Sequence, residues 1–569
     1  MSNEVRGPKA PKDPTKKRDG FYIMRHKGVA GSPQENGKGV CFIYEDDGRL
    51  ISASRLVGAI DDEEILNLLL STEGFRKLVY SIGVSIESPN REDIIRFVFQ
   101  MYGKKDLYGS GTNIIADIPG NGMEVVIDMN EINWSDDDKE PGQIRFEFEK
   151  AGMQAEVSVI FYLNDGYTAP VPEEENPVDC ESDAYKEMIS WSLMNPGNNY
   201  RVKKAIEKAA RGEETTLAFI GGSITQGAGA VPINTNCYAR KIYEGFCKLA
   251  GREVDTNVKY IKAGVGGTPS ELGMLRYKKD ILDEGTPDLV VMEFAVNDDG
   301  DETKGECYDS LARKIYDGPG NPALILLFSV FADDYNLEER LSPVGYGYEL
   351  PMVSVKHSVT EQFYLKSGEG RLVTKNQFFY DRYHPTNLGH RIMADGVIYM
   401  MEKAMEAPAD EEIKTLKDKP AIIGADFTDV IRVDRAINEV GAVINCGSFD
   451  GQDMDIQFVE RNMDPHGTRQ FMDNWMRKGE GDIPFTMDVE ASIILLIFKD
   501  SAENYVGKAD VYVDGKKTYY ADPKEVGWTH CNAAIIYRSK ELAMHHVEIR
   551  MAEGSEDKDF TILGFGIVK

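Results

Sequence analysis

A chain of 569 residues is longer than one hydrophobic core organises, so its length predicts about two to four domains. Hydrophobic residues make up 42% and charged residues 28%, the balance of a globular protein in water, and no stretch reaches the ~18 uninterrupted apolar residues of a membrane-spanning helix. The net charge of −30, from 95 acidic against 65 basic side chains, repels phosphate backbones and anionic lipid. Nucleic acid and membrane are therefore not expected as partners, and a neutral substrate is.

Residues 1–19 are basic but lack the apolar stretch and cleavage pattern of a signal peptide. They read as a disordered lead-in to a cytoplasmic protein; a leader trimmed away would make the protein a secreted one. From 20 to 163 the pattern has period two: Ile144, Phe146 and Phe148 alternate with Arg145, Glu147 and Glu149, and Val157 and Val159 follow. That predicts strands with one buried face, in an antiparallel, sandwich-like arrangement. A helical stretch at 61–71 interrupts it. The acidic, proline-containing segment 164–195 reads as a linker.

Over 196–408 the period changes. Short apolar strands at 216–220, 257–263, 288–294 and 323–329 alternate with amphipathic helices, the last of them near 388–405. This predicts βαβ units and a parallel sheet covered on both faces. A charged linker, 409–421, precedes a second β region over 422–569, where Asp514-Gly515 predicts a type I′ hairpin turn. The seven cysteines, at 41, 180, 237, 247, 307, 446 and 531, are scattered without C-x-x-C spacing, so neither a disulfide framework nor a zinc site is expected. No metal or organic cofactor is called for.

In an open parallel sheet, ligands bind beyond the carboxyl ends of the strands. Those ends read GGSITQGAG (221–229), GVGGT (264–268) and AVNDDG (295–300), and YDRYHPTNLGH (380–390) precedes the last helix. Together they supply the parts of an acyl-transfer site. Ser223 is the candidate nucleophile, His384 the base that takes its proton, and Asp381 the carboxylate that fixes the imidazole. The backbone N–H groups of Ser223 and Gly267 and the side-chain amide of Asn297 are candidate oxyanion donors. Glycine suits position 267 because it lets backbone approach a substrate without an intervening Cβ. His390 is read as a packing or helix-surface residue, and Asp298 and Asp299 as groups that hold the Asn297 loop. One of His545 and His546 should face a sheet interior and the other solvent. Trp134, Trp475 and Trp528 are read as core residues more readily than as sugar platforms. An α/β-hydrolase elbow is excluded, because Thr225 stands where G-x-S-x-G needs glycine and acid and base share one loop.

GGSITQG, AGVGGT, AVND and DRYHP resemble the conserved blocks of the SGNH, or GDSL-like, hydrolases, with Gly222 in place of the commoner aspartate and Ala295 in place of glycine. The stretch 197–227 and the wording EFAVND are further similar to bacterial carbohydrate acetyl esterases, the mannan and xylan deacetylases. The resemblance implies an α/β fold, a flavodoxin-like three-layer α/β/α domain, flanked by two β-sandwich, jelly-roll-like domains, the C-terminal one carbohydrate-binding-like. It also implies O-deacetylation of an acetylated oligosaccharide or polysaccharide through an acetyl-serine. The residues by themselves reach only a serine hydrolase of an ester. A short-chain acyl esterase or lipase, and a glycan-binding protein with a scaffold hydrolase domain, stay open at this point.

Overall fold

The computed structural model describes residues 18–46, 48–171, 175–459 and 468–569. Of the lead-in expected over 1–19, residues 1–17 lie outside the described residues, as does 172–174 of the first linker.

The N-terminal region holds two antiparallel sheets. In the four-stranded one, Gly20–Ala30 pairs with Gln154–Leu163, which also pairs with Val79–Glu87. In the five-stranded one, Asp138–Phe148 lies between Gly39–Tyr44 and Ile94–Gly103. Phe97, Phe99, Ile144, Phe146, Val157, Val159 and Phe161 meet in one core between them. The alternation of apolar and charged residues along 144–149 is what turns one face of that strand inward.

The central region is an α/β fold around a six-stranded sheet in the order Leu193–Asn195, Met352–Ser354, Ala323–Phe328, Leu289–Glu293, Thr215–Gly221, Val258–Gly264. All neighbours are parallel except the Leu193–Asn195 edge strand. That edge strand arises at the end of the segment read as a linker. Leu217, Phe219, Val291 and Ile325 face helices Tyr200–Ala210, Tyr238–Leu249 and Asn387–Glu406. Ala218, Ile220, Met292 and Leu326 face helices Ser270–Tyr277, Glu306–Tyr316 and Glu338–Tyr348. Strands buried on both sides need continuous apolar runs, and ALILLF at 323–328 is one.

The C-terminal sheet is antiparallel, in the order Ile431–Val433, Phe560–Val568, Phe485–Asp500, His530–Met551, Ala509–Val513, Lys516–Ala521. Its hairpin turns at Asp514 (φ 53°) and Gly515 (φ 76°), both positive as a type I′ turn requires. Along Phe485–Asp500, Ile494, Leu496 and Phe498 enter the sheet's own core. Ile493, Leu495 and Ile497 point the other way and join the core under helices Ser270–Tyr277 and Glu306–Tyr316. The apolar run is unbroken because both faces of this antiparallel strand are covered. No helix among the described residues is long and apolar enough to cross a membrane.

Candidate active site

Ser223 opens the one-turn helix Ser223–Gln226 directly beyond strand Thr215–Gly221. Behind it, Thr225 Oγ1 shares a 2.7 Å hydrogen bond with the buried Tyr238 hydroxyl. The fully buried Arg276 donates to Gly221 O and Ala263 O, both at 3.2 Å, and to Asp280 at 2.6 Å. One guanidinium thereby ties together the ends of the two strands that lead into the serine and glycine loops.

His384 lies 161 residues away in sequence, yet its Nε2 is 2.9 Å from Ser223 Oγ. Its Nδ1 is 2.8 Å from Asp381 Oδ2 and 3.0 Å from Oδ1. Asp381 Oδ1 also accepts the backbone N–H groups of Tyr383 (2.7 Å) and His384 (2.8 Å). Burial pushes the Asp381 pKa up, but the His384 charge and these donors outweigh it and hold the carboxyl below its ordinary value. For His384 burial pulls the pKa down, and the Asp381 carboxylate more than reverses that, raising the imidazole above its ordinary value. With Nδ1–H donated to Asp381, the Nε2 lone pair is free to receive the serine proton. The loop closes against Gly229 (φ +85°), where an added Cβ would stand 2.2 Å from Pro385 O and 3.2 Å from His384 Cβ. Only glycine permits that approach.

Asn297 lies against Gly222, and the glycine loop lies against Ser223 through Gly266. A Cβ at Gly222 would stand 2.2 Å from Asn297 Oδ1 and 3.1 Å from its Nδ2, so the amide occupies the space an aspartate at 222 would need. A Cβ at Gly266 would stand 3.8 Å from Ser223 Cβ. Gly267 has φ +69°. Among the described residues, neither the Gly267 N–H nor the Asn297 side-chain amine donates to a protein acceptor.

Most of the remaining sequence candidates have packing roles. Asp298 is fully buried and accepts from Ser270 N (2.7 Å) and Ser270 Oγ (2.8 Å), which joins the glycine and asparagine loops. His390 is buried between Ala228 O (3.0 Å from Nε2) and Tyr238 N (3.2 Å from Nδ1), and burial pushes its pKa down to about 3. His545 is buried and His546 exposed. Trp475 is core and Trp134 packs beside Phe75, whereas the Trp528 indole is 43% exposed. One buried group of possible metal ligands, Glu271, Asp301 and Cys307, is found among the described residues. Burial raises the pKa of both Glu271 and Cys307, favouring their neutral, poorly ligating forms.

Sequence reasoning missed the residues that reach this site from either side. From the N-terminal region, the buried Lys27 Nζ donates to Asn376 O (2.7 Å) and Phe379 O (2.5 Å), just before Asp381, and burial lowers its pKa to about 7. From the C-terminal region come Gln457 and His530, together with Trp528, which the sequence pattern suggests as core and which lies half-exposed beside Gly267.

No protein-family model matches the chain, and no curated protein matches it. Among solved structures, a two-domain esterase active on acetylated mannans is 28% identical, with a TM-score of 0.56, and the match covers 67% of this chain and 99% of the esterase. Such an esterase co-crystallised with mannopentaose gives 27% identity and a TM-score of 0.55 over 67% and 98% of the two chains. A lipase/acylhydrolase from Enterococcus faecalis matches 35% of this chain and 100% of its own, at 21% identity and a TM-score of 0.27. With this site and the two-domain esterases as structural neighbours, the chain resembles the SGNH, or GDSL-like, carbohydrate esterases.

Proposed function

We propose that the protein is a serine esterase that removes O-acetyl groups from a mannan- or xylan-type polysaccharide or its oligosaccharides. The observation that carries this reading is the hydrogen-bonded relay from Asp381 through His384 to Ser223, and among the described residues the Gly267 N–H and the Asn297 amide have no protein acceptor. The relatives active on acetylated mannans support the substrate class.

In the first step His384 Nε2 takes the Ser223 proton as Oγ bonds to the acetyl carbonyl carbon. The tetrahedral oxyanion is held by the N–H groups of Ser223 and Gly267 and by the Asn297 amide, each worth roughly 10²–10³ in rate. His384 then returns its proton to the sugar oxygen as the ester C–O bond breaks. Water attacks the acetyl-serine by the reverse route, releasing acetate and a proton and restoring Ser223. Asp381 keeps the imidazole in the tautomer that both steps use.

In this reading 196–408 is the flavodoxin-like hydrolase domain, and 20–163 and 422–569 are β-sandwich domains that wall its cleft. Trp528 and Lys27, reaching the site from opposite flanks, support that layout.

Mass spectrometry of acetylated manno- and xylo-oligosaccharides after incubation tests the proposal. The expected product is 42 Da lighter per step (about one ketene equivalent, the balance of an ester hydrolysed to an alcohol), and Ser223→Ala should lower kcat by roughly 10⁴–10⁶. Turnover of short-chain aryl esters with intact oligosaccharide acetyls would instead favour a non-carbohydrate acyl esterase.

A further inference from the structure

The glycine loop that offers the Gly267 N–H is held from outside its own domain. Gln457 Nε2 donates to Gly266 O at 2.6 Å. The Gln457 amide is itself oriented, because Cys531 N–H donates to its Oε1 at 3.0 Å, which fixes which end is the donor. One residue on, His530 Nε2 lies 3.2 Å from Gly267 O, and His530 Nδ1 lies 3.0 Å from the buried Asp500 carboxylate. A carbonyl only accepts, so Nε2 donates in that contact, and the Nδ1 contact is completed either by a second imidazole proton or by a proton on the Asp500 carboxyl, whose pKa burial raises. The Trp528 ring completes the seat: a Cβ at Gly267 would stand 2.9 Å from its Cζ2.

A trans peptide is a rigid plane whose C=O and N–H point in opposite directions. The carbonyl that Gln457 grips belongs to the same peptide as the Gly267 N–H. Pinning Gly266 O therefore aims Gly267 N–H, and gripping Gly267 O fixes the plane that follows. Such help is needed here, since consecutive glycines leave the backbone free and Gly267 sits at φ +69°. Within the loop, the recorded bonds run from Thr268 N and Oγ1 to Val265 O and from Val265 N to Gly221 O. None of these touches the Gly266–Gly267 peptide.

We infer that Gln457 and His530 are positioning residues for the oxyanion hole, so that docking of the C-terminal sheet sets the catalytic rate as well as the shape of the cleft. This rests on the reading of Ser223 as nucleophile and Gly267 as oxyanion donor. It adds two residues that never meet the substrate yet act on its transition state, because a misplaced donor binds the ground state as before and the tetrahedral state less well.

The test uses the full-length protein with Gln457→Met, which keeps length and removes the donor, and separately His530→Phe. Activity is read on a small aryl acetate, which needs no glycan contact, and affinity is read for phenylboronic acid, which forms a tetrahedral adduct on a nucleophilic serine. Each variant is expected to lower kcat about tenfold to a hundredfold, with KM within about twofold and boronate affinity falling in step with kcat/KM. Wild-type kcat per folded molecule in both variants, with folding followed by circular dichroism, overturns the inference. So does a rise in KM with kcat unchanged. Ser223→Ala, run alongside, separates the two readings: if it stays active the site assignment fails, whereas if it is dead and both variants run at full rate only this inference fails.

Discussion

Residues 20–163 and 422–569 share a period-two pattern, but the first faces its two sheets toward each other while the second turns half of a sheet onto its neighbour. The buried apolar residues of the N-terminal region form a cluster of their own. Its reach into the central region is local: Leu56 packs on one face, and Lys27 grips the carbonyls before Asp381. The C-terminal sheet instead shares a core with the central helices through Ile493, Leu495 and Ile497. The consequence is a division of labour around one serine. In the proposed mechanism the N-terminal flank holds the acid–base loop, and the C-terminal flank holds the oxyanion loop. What teaches most is that the two attachments predict different kinetic signatures.

The largest effect should come from the acid–base loop itself. Asp381→Asn leaves the geometry close to intact but removes the charge that selects the His384 tautomer, with an expected loss in kcat of about 10⁴. The sign of the pH effect follows from the shift: the folded His384 pKa lies above its ordinary value because of Asp381, and the imidazolium cannot accept the serine proton. Wild-type kcat/KM should therefore fall as pH drops through a midpoint above ~6.5, and the midpoint should move down in Asp381→Asn. A kcat/KM profile from pH 5 to 9 checks both. The C-terminal positioning variants should leave that midpoint where it is, because they touch no titrating group of the relay.

Next in size is the shared core. Leu495→Ala removes a fully buried side chain at the junction of sheet and helices, and should cost about 2–5 kcal/mol in chemical denaturation. If the C-terminal sheet were an independent module, this change would loosen that sheet and spare the rest. The shared core predicts a common loss of stability in both regions, measurable by hydrogen exchange on helix Ser270–Tyr277 together with strand Phe485–Asp500.

Lys27→Met is the corresponding test on the other flank. It leaves two carbonyls without their donor, at about 1–3 kcal/mol each where they stay dry. The pH dependence of this cost has a definite sign. Burial lowers the folded Lys27 pKa to about 7 from the ~10.4 of an unfolded lysine, so the unfolded chain binds more protons between those values. Wild type should gain stability relative to Lys27→Met as pH rises from about 7 to about 10, and this gain should be lost again as pH falls back through 7. Parallel denaturation curves at pH 6.5 and 9.5 read the difference. An identical difference at both pH values would mean that Lys27 titrates like a solvated amine.

The legible part of this protein was the part whose function depends on strand ends. Gly-Gly-Ser, Gly-Gly-Thr, Asn-Asp and Asp-x-x-His are short, local and follow apolar runs, so composition and period point at them directly. Lys27, Gln457 and His530 carry no such mark, because each acts on a main-chain carbonyl far away in sequence, which leaves no periodic trace. At Lys27 even the strand pattern misleads: the pairing register shifts between Met24 and Lys27, with His26 at φ 52°. Such irregularities re-aim side chains that strict alternation would place elsewhere. The edge strand Leu193–Asn195 has three residues, too few for a period to show. Along Phe485–Asp500 the apolar run marks a buried strand, but nothing local to it says which neighbour covers its second face.

The smallest and sharpest test concerns the one motif position that departs from the commoner family residue beside the serine. Glycine at 222 allows the Asn297 amide to lie where a Cβ would come within 2.2 Å of it. Gly222→Ala forces one of the two to yield. The backbone at 222 has a negative φ (φ −87°, ψ −146°), so alanine meets no left-handed penalty there, and the atom it crowds is the far end of the Asn297 side chain, whose rotation should give the relief. An amide turned away from the oxyanion lowers kcat without weakening ground-state binding. The expected loss is about tenfold, short of the full 10² of deleting the donor, with KM unchanged on an aryl acetate. Asn297→Ala sets the limit of that scale, and the double variant should be no worse than Asn297→Ala alone, since both act through the same amide. If the two losses multiply instead, Gly222 acts on Ser223 directly and the crowding at Asn297 is incidental.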